Sequence, residues 1–285
     1  MKLIKKIVKV SLVIVLLLLI SVYFLFISFS SPKSSLKIFE EYKDKNITIE
    51  VFDNQYKSFK YRSISFQKEL DSSKLNIIFI HGAIGSSTDF NNYIQDSLIR
   101  TKFNMFSYDR VGYNHNEKTL AQQSIEFEKD LLEHYIKKLD PDKTILVGYS
   151  YGGPIALASK KKYKKIVLLA PAVYSKVEPM PFMLNFYKWK LTRWLVPHVW
   201  KSASLEKLNH KEELRKFENK WNDGFANIIS IHGDSDGIVP LENSLFLESQ
   251  LSKRKFKLKV IKNAGHSLVW SNFEFIKSEL LKLAN

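Results

Sequence analysis

The hydrophobic pattern of the chain begins with one long uncharged run. Residues 10–31 contain SLVIVLLLLISVYFLFISF, and a helix of this length crosses a hydrocarbon core of about 30 Å. A cleaved signal peptide usually has an apolar stretch of only about 7 to 15 residues. The length therefore predicts an uncleaved signal anchor, a transmembrane helix over residues 10–30. The alternative is a signal peptide cleaved at the weak small-x-small site Ser28-Phe29-Ser30.

Lysines flank this run unequally. Four lysines lie in residues 1–9, whereas only Lys33 and Lys37 follow the run closely. Because positive charge is retained on the cytoplasmic side of a membrane, residues 1–9 are predicted to be cytoplasmic and the chain beyond the anchor extracytoplasmic. Residues 31–46 are then a linker. Cleavage at the signal-peptide site would instead make the protein secreted.

Beyond the linker, apolar runs of strand length alternate with segments of helical period, which predicts a mostly parallel sheet wrapped by helices. The first two runs, 47–52 and 59–66, alternate in period two and predict an antiparallel pair. The other runs are nearly continuous in apolar residues, as expected of strands buried on both faces: 75–82, 103–109, 144–150, 165–171, 227–233 and 257–263. The predicted helices are 120–139, 151–163, 241–251 and 272–283. Together they predict one α/β domain over residues 47–285.

One insertion, residues 174–222, interrupts this alternation and has no strand-like run. It holds four of the five Trp in the chain. The apolar residues of its PFMLNFYKWKLTRWLVP stretch include Met183, Phe186, Tyr187, Leu191, Trp194 and Leu195. Their three- and four-residue spacings predict a single apolar face on a helix. This face is expected either to pack onto the domain or to be the aromatic underside of a helical cap that lines a pocket.

Composition excludes several classes of protein. The chain has 285 residues, of which 45% are hydrophobic and 26% charged, so it is too apolar to be disordered. It has no Cys, which excludes a disulfide framework, a zinc ribbon and a thiol nucleophile. Of the formal net charge of +15, residues 1–37 carry +6, and the insertion has ten basic against five acidic residues. The lysines are otherwise dispersed and match no nucleic-acid motif, so no nucleic-acid partner is expected.

The most informative stretch is Gly148-Tyr149-Ser150-Tyr151-Gly152, at the junction of a predicted strand and a predicted helix. A Ser on such a tight turn is held in a strained backbone conformation, and its neighbours two positions away must be very small. The turn exposes the Ser hydroxyl beside the positive N-terminal end of the following helix. Glycine and serine also occupy ordinary turns, but here the flanking strand and helix are those that a nucleophilic serine requires.

A serine nucleophile requires a base, and the base requires an acid that orients it. Asp234 and Asp236 follow the predicted strand 227–233, and His266 follows the strand 257–263. All three lie just beyond the carboxyl ends of buried strands, where the sites of parallel sheets form. The alternative is that each aspartate only caps the next helix and that the histidine is an ordinary loop residue, but their joint occurrence favours a catalytic triad.

Acyl transfer also requires two donors for the oxyanion. His81-Gly82-Ala83-Ile84-Gly85-Ser86 follows the first long buried strand and is predicted to place the backbone N–H of Ala83 opposite that of Tyr151. His81 itself is interpreted as structural.

The segments HGAIGS, YDRVGYNHN, GYSYGG, GDSDGIVP and NAGH follow one another in the order typical of the α/β-hydrolase superfamily. From residue 47 onward the chain resembles its cap-bearing, Ser-nucleophile branch of esterases and lipase-like enzymes. The resemblance implies an α/β-hydrolase fold with a helical cap at about residues 174–222. It also implies that Ser150 is the nucleophile, Asp236 the acid and His266 the base. Ala83 and Tyr151 are then the oxyanion donors.

The resemblance also resolves two details of the loops. Asp236 is preferred to Asp234 because the acid of the family usually lies three residues after the glycine. The Asp-Arg-x-Gly-x-Gly-x-Ser loop of the family corresponds to residues 109–116, in which Asn114 replaces a glycine. This replacement is expected to be tolerated because Asn accepts a positive φ. Asp109 and Arg110 at the start of the loop are interpreted as structural.

A serine nucleophile implies an acyl-enzyme formed from an ester, thioester or amide, with no metal and no cofactor. The aromatic insertion and the predicted anchor favour a small-molecule carboxylic ester with a lipid-like portion. An amide or thioester hydrolase, or an aminopeptidase of the same fold, is the alternative, although the basic insertion suits a substrate ammonium poorly. A membrane-tethered binding protein without turnover is the alternative from another class.

Overall fold

A computed structural model describes residues 1–115 and 119–284. Asn116 of the loop motif and Asn285, the last residue of the predicted domain, lie outside the described residues. The described chain forms one eight-stranded sheet in the order β1-β2-β4-β3-β5-β6-β7-β8. The strands are β1 (Glu50–Tyr56), β2 (Phe59–Ser65), β3 (Leu75–Ile80), β4 (Phe103–Tyr108), β5 (Thr144–Tyr149), β6 (Lys165–Leu169), β7 (Ile228–Gly233) and β8 (Phe256–Ile261).

The pairing of the strands confirms the predicted α/β class. β1 pairs antiparallel with β2 and β2 antiparallel with β4, whereas every pair from β4 to β8 is parallel. The central strands are buried on both faces, which explains their continuous apolar sequences. Because the carboxyl ends of parallel strands share one edge, the loops after β3, β5, β7 and β8 meet there.

Helices cover both faces of the sheet. They are α1 (Lys2–Ser30), α2 (Ser35–Lys43), α3 (Asn91–Gln95), α4 (Ser97–Lys102), α5 (Ile125–Tyr135), α6 (Gly152–Ala158), α7 (Leu184–Lys188), α8 (His198–Phe217), α9 (Glu242–Gln250), α10 (Leu268–Ser271) and α11 (Phe273–Leu281). Alternate residues of β3 enter two separate cores: Ile77 and Phe79 pack with α2, α3 and α11, and Ile78 and Ile80 pack with α5, α6 and α9. The helices found at the predicted positions 120–139 and 151–163, α5 and α6, are shorter than predicted.

The segment predicted as a linker contains a packed helix. The Ser34 hydroxyl caps α2 by accepting from the N–H of Lys37. Ile38 and Tyr42, four residues apart on one helix face, are fully buried in the core beneath the sheet. The Tyr42 hydroxyl donates to the side chain of Asn91 at the start of α3. Residues 31–46 therefore fix the N-terminal side of the domain rather than connecting it loosely.

The insertion between β6 and β7 is helical, as predicted, but its helices lie elsewhere than the hydrophobic period indicates. The long helix is α8, whereas the predicted amphipathic stretch forms only α7, which ends where Trp189 becomes extended, and a single 3₁₀ turn at Arg193–Leu195. Within that stretch Leu184 and Tyr187 are buried, but Leu191 and Trp194 are exposed. The expectation of one apolar face that packs inward or lines a pocket is wrong for these exposed residues.

Among the described residues, one helix is long and apolar enough to cross a membrane. It is α1, whose 29 residues span about 44 Å at 1.5 Å per residue. Its last turn contacts the cap: the ring of Phe26 lies 5.4 Å from that of Trp200. The indole N–H of Trp200 donates to the Ser30 hydroxyl at 2.9 Å.

Candidate active site

Ser150 lies on a sharp turn between β5 and α6. Its φ is +53°, in the left-handed region that is costly for a residue with a side chain. The strain is held by backbone hydrogen bonds, because the N–H of Ser150 donates to Leu169 and its carbonyl accepts from Gly153 and Ala172. A Cβ on Gly152 would lie 2.2 Å from the carbonyl oxygen of Ile80. The turn therefore requires glycine beside it, as the sequence pattern indicates.

Ser150, His266 and Asp236 form one hydrogen-bonded chain. Nε2 of His266 lies 3.0 Å from Oγ of Ser150, and Nδ1 lies 2.8 Å from Oδ2 of Asp236. A carboxylate only accepts hydrogen bonds, so Nδ1 of the neutral ring carries the proton and Nε2 is free to accept from the serine hydroxyl. The structure brings together the three side chains to which the sequence assigns the nucleophile, base and acid.

The environment of Asp236 keeps it ionised. Burial by itself would raise the pKa of Asp236, but the imidazole of His232 at 3.6 Å and hydrogen bonds from His266 and the N–H of Val239 hold it below the ordinary range. Asp234, the other candidate, is exposed and accepts from the N–H of Asn263 at 2.7 Å. It contributes to the turn after β7 and does not contact His266.

Two aromatic residues that the sequence did not single out hold His266 in place. The ring of Tyr149 stacks on the imidazole at 5.1 Å, and its hydroxyl donates to the backbone carbonyl of His266 at 2.9 Å. Trp270 packs edge-on against Tyr149 and donates to the carbonyl of Asp89. Tyr149 is the variable residue within the glycine-serine-glycine motif, so the motif carries no signal for this role.

The predicted oxyanion donors flank the serine. A Cβ on Gly82 would lie 2.9 Å from Cβ of Ser150, so the peptide that joins Gly82 to Ala83 passes directly beside the nucleophile. Tyr151 precedes the first residue of α6. Within residues 1–115 and 119–284, no protein acceptor takes the N–H of Ala83 or Tyr151. Neither group is engaged by the described protein, which is what the predicted role as oxyanion donors requires.

Asp109 and Arg110 anchor the loops beside the site through buried ion pairs. Asp109 pairs with Arg62 at 2.6 Å and accepts from the N–H of Ser87. Arg110 pairs with Glu206 of α8 at 2.6 Å. Burial by itself would lower the pKa of Arg110, but the Glu206 carboxylate holds it well above the ordinary value.

The ion pair of Arg110 with Glu206 joins the cap to the sheet edge. The sequence analysis did not identify Glu206, because no local motif surrounds this glutamate.

The explanation expected for the glycine replacement in the same loop is wrong. Gly112 has a φ of +91°, whereas Asn114 is not among the residues with positive φ. The capacity of Asn for a left-handed backbone is therefore not used at this position. A Cβ on Gly112 would lie 2.4 Å from the backbone nitrogen of Ala121, so close packing demands glycine there.

Comparison with known proteins identifies the same architecture. A family described as alpha/beta hydrolase fold matches residues 76–215. A Mycoplasma pneumoniae protein assigned as an esterase or lipase is 29% identical over 132 residues, which are 45% of this chain and 45% of that protein. A proline iminopeptidase of Saccharolobus solfataricus is 31% identical over 116 residues, 40% of this chain and 37% of the relative. The chain thus aligns with less than half the length of these curated relatives.

Solved structures resemble nearly the whole chain. The structure of a membrane phospholipase A described as a bacterial virulence factor superposes with a TM-score of 0.63 at 14% identity, covering 96% of this chain and 97% of that one. An esterase from Exiguobacterium antarcticum superposes with a TM-score of 0.63 at 16% identity, covering 82% and 98%. At such identities the likeness concerns the fold. Together with the family match and the sheet topology, it shows that the chain has the α/β-hydrolase fold.

Proposed function

We propose that this protein is a membrane-anchored serine hydrolase that cleaves a carboxylic ester through an acyl-enzyme. The observation that carries the proposal is the hydrogen-bonded chain from Ser150 through His266 to Asp236, with the serine on a strained turn. A strained non-glycine residue costs about 1 to 3 kcal/mol, and such residues cluster at active sites.

The geometry supports a two-step mechanism. Nε2 of His266 takes the hydroxyl proton of Ser150 as Oγ attacks the ester carbonyl, and Asp236 stabilises the imidazolium. The N–H groups of Ala83 and Tyr151 bind the oxyanion of the tetrahedral intermediate. His266 then protonates the leaving alcohol, leaving an acyl group on Ser150. Water attacks this ester with His266 as base, which releases the acid and restores the serine.

An ester is the preferred substrate class. The relative in Mycoplasma pneumoniae is assigned as an esterase or lipase, and the superposed structures include an esterase and a phospholipase A. A lipid-like acyl portion is proposed because α1 would hold the site near a bilayer. The alignment to the membrane phospholipase A covers 96% of the chain, so it includes part of α1.

The anchor proposal follows from α1 and its connection to the domain. None of its most apolar stretch is buried against protein. Its last turn is fixed to the domain at Trp200, and the carbonyl of Lys33 accepts from Arg62 at 2.8 Å. We propose that residues 1–9 face the cytoplasm and that the domain faces outward. The mass of the protein extracted from membranes measures whether residues 1–30 are retained, and loss of that mass would identify a signal peptide.

An aminopeptidase is the second candidate, because one relative is a proline iminopeptidase. Recognition of a substrate ammonium needs an available carboxylate near the serine. Each buried carboxylate of the cap already has a cationic partner: Glu206 pairs with Arg110, Glu178 with Lys207 and Glu213 with Lys216. This pairing favours the ester.

The test is hydrolysis of p-nitrophenyl butyrate by the full chain in detergent. We expect Ser150→Ala to lower kcat at least about 10⁴-fold while thermal unfolding is unchanged. Ser249→Ala, an exposed serine on α9, is the matched control and is expected to retain full activity. Equal hydrolysis by Ser150→Ala and the parent chain would refute the proposal. Competition of esters, thioesters and proline-terminated peptides against a fluorophosphonate label on Ser150 then identifies the substrate class.

A further inference from the structure

The cap exposes an unusual apolar surface. Within residues 180–194, called here the exposed cap segment, the side chains of Phe182, Leu191 and Trp194 are 72%, 88% and 69% exposed. Four more large apolar side chains of the segment are exposed: Met180, Met183, Phe186 and Trp189. Only Leu184 and Tyr187 turn inward. Soluble proteins rarely expose so many neighbouring apolar groups without a partner.

Charge in and around this segment has one sign. Lys188, Lys190 and Arg193 are exposed among the apolar side chains, and no Asp or Glu occurs between Glu178 and Glu206. Interleaved aromatic and basic residues suit the boundary of an anionic bilayer, because rings enter the headgroup region while cations meet lipid phosphates.

The segment also lies close to the end of α1. Trp200, which contacts Phe26 and Ser30, follows Trp194 by six residues, and six residues span at most about 20 Å. α1 is longer than the hydrocarbon core, so its last turn reaches the headgroup layer. The exposed cap segment therefore lies within reach of the same layer.

We propose that the exposed cap segment docks on the surface of the bilayer that α1 spans and inserts its apolar side chains among anionic lipids. This inference rests on the anchor part of the proposed function and not on the catalytic triad. It gives the cap two attachments to the membrane, one through α1 and one through residues 180–194.

The chain has no Cys, so single cysteines can be introduced for spin labels. Labels at Leu191→Cys, Leu16→Cys in α1 and Leu245→Cys on α9 are compared in the full chain reconstituted into phosphatidylcholine and phosphatidylglycerol vesicles. Leu245 is a matched exposed leucine remote from the segment in sequence, at 45% exposure. We expect the label at 191, like the label at 16, to be at least 3-fold less accessible to a water-soluble nickel complex than the label at 245.

The outcomes separate the two proposals. Equal nickel accessibility at 191 and 245, with 16 protected, overturns the docking surface and leaves the anchor intact. Protection at 191 with 16 exposed overturns the anchor and supports docking, and exposure at both overturns both. Replacing Lys188, Lys190 and Arg193 together by Gln should reduce protection at 191 in vesicles containing phosphatidylglycerol but not in pure phosphatidylcholine. No difference between the two lipids would refute the role of the cations.

A second inference concerns the Gly82–Ala83 peptide and arises from different contacts. The carbonyl oxygen of Gly82 lies 3.0 Å from Nη2 of Arg110 and 2.7 Å from Nδ1 of His81. Nε2 of His81 accepts from the backbone N–H of Arg110 at 3.0 Å. Nδ1 of His81 therefore carries the proton and donates to Gly82. Burial, followed by the charge of Arg110, keeps the pKa of His81 well below its ordinary value, so the ring is neutral.

In a trans peptide the C=O and N–H point in opposite directions, and no peptide in the described residues is cis. Two donors on the carbonyl of Gly82 therefore set the direction of the N–H of Ala83. They also polarise the peptide, which strengthens that N–H as a donor. We infer that Arg110 and His81 are positioning residues for the oxyanion donor Ala83. This inference rests on the proposed function.

The test separates kcat from KM. Arg110→Lys keeps the charge that faces Glu206 but removes the fork that also reaches Gly82. We expect kcat to fall about 10- to 100-fold with KM unchanged, because the donor acts in the transition state. A trifluoromethyl ketone, which forms an oxyanion on Ser150, should bind weaker by a similar factor. His81→Asn retains a donor and should remain within about 5-fold of the parent chain, whereas His81→Phe should not.

If Arg110 had a merely structural role, Arg110→Lys would lose stability, but the kcat of its folded fraction would be unchanged. Titration with fluorophosphonate measures that folded fraction. An unchanged kcat, or unchanged affinity for the trifluoromethyl ketone, would overturn the positioning role. If Ser150→Ala retained activity, the proposed function itself would fail, and this outcome is distinct from a normal Arg110→Lys enzyme that still requires Ser150.

Discussion

Glu128 on α5 permits a quantitative prediction of how stability depends on pH. Its side chain is fully buried, and neither carboxylate oxygen has a hydrogen-bond partner among the described residues. The nearest cation, Nη1 of Arg110, lies 3.9 Å away and is already engaged by Glu206. Burial raises the pKa of Glu128 to about 8, so the carboxyl is neutral in the folded protein at pH 7.

A folded-state pKa above the unfolded value stabilises the protein at low pH and loses that contribution as pH rises towards the folded pKa. Between pH 5.5 and 7.5 the unfolded chain has already lost this proton and the folded chain has not. Each pH unit in this window therefore removes about 1.4 kcal/mol of stability. Glu128→Gln does not titrate, so relative to the parent chain it should gain about 3 kcal/mol between pH 5.5 and 7.5.

The measurement is denaturant unfolding of the full chain in detergent at pH 5.5, 6.5 and 7.5. Glu126→Gln on the same helix is the control, because Glu126 is 58% exposed. Its stability difference from the parent chain should change by less than about 0.5 kcal/mol over this range. If the Glu128→Gln difference were as flat as that of the control, Glu128 would be ionised in the fold, and the reasoning from burial would be refuted.

Three further predictions address the site and its support. Asp236→Asn should lower kcat for p-nitrophenyl butyrate about 10³- to 10⁴-fold with little change in stability, because the imidazole loses its orienting acceptor; an unchanged kcat would contradict its role as the acid. Gly152→Ala should destabilise the fold by about 3 kcal/mol or more in thermal unfolding, since its Cβ would lie 2.2 Å from a backbone oxygen. Gly237→Ala, where no atom lies within 4 Å, is the matched control, and equal losses in both would contradict the steric explanation. Asp109→Asn should cost about 3 to 5 kcal/mol in denaturant unfolding because it leaves Arg62 buried and unpaired, and a loss below about 1 kcal/mol would show that the pair is solvated.

The sheet and the arrangement of the triad residues could be predicted from the sequence for one physical reason. Parallel strands buried on both faces need continuous apolar runs, and their carboxyl ends share an edge, so a Ser, an Asp and a His that follow three such runs must lie near one another. Periodicity alone did not distinguish Asp234 from Asp236. Position relative to the glycine favoured Asp236, and in the structure it is Asp236 that contacts His266. The catalytic roles of these residues stay predictions until they are tested.

Hydrophobic periodicity did not predict where the helices of the cap lie. The buried face of α8 has helical spacing, but much of it is polar, including Ser202, Glu206, His210 and Glu213. These side chains are buried because their partners lie far away in sequence, for example Arg110 for Glu206 and the carbonyl of Ala172 for His210. A scan for apolar residues every three or four positions therefore overlooks α8.

The converse error occurred at residues 181–197, where the apolar spacing is helical but the structure is mostly irregular. A short amphipathic segment is marginal as a helix unless its apolar face packs against something. Here Leu184 and Tyr187 are the apolar side chains that are buried, and α7 ends after five residues. Most of the other large apolar side chains are exposed, and their pattern reflects a surface that the described chain does not cover.

Both errors arise from the way the cap packs. The same packing connects the cap to the groups beside Ser150. A buried polar contact, the pair of Glu206 with Arg110, joins α8 to the sheet edge, while most of the large apolar side chains of residues 180–194 are exposed. Arg110 contacts both Glu206 and the carbonyl of Gly82, so a shift of α8 would change the guanidinium that also holds the Gly82–Ala83 peptide beside Ser150. If lipid binding at residues 180–194 favours one position of the cap, thermodynamic linkage requires that it also favours one arrangement of the oxyanion donors.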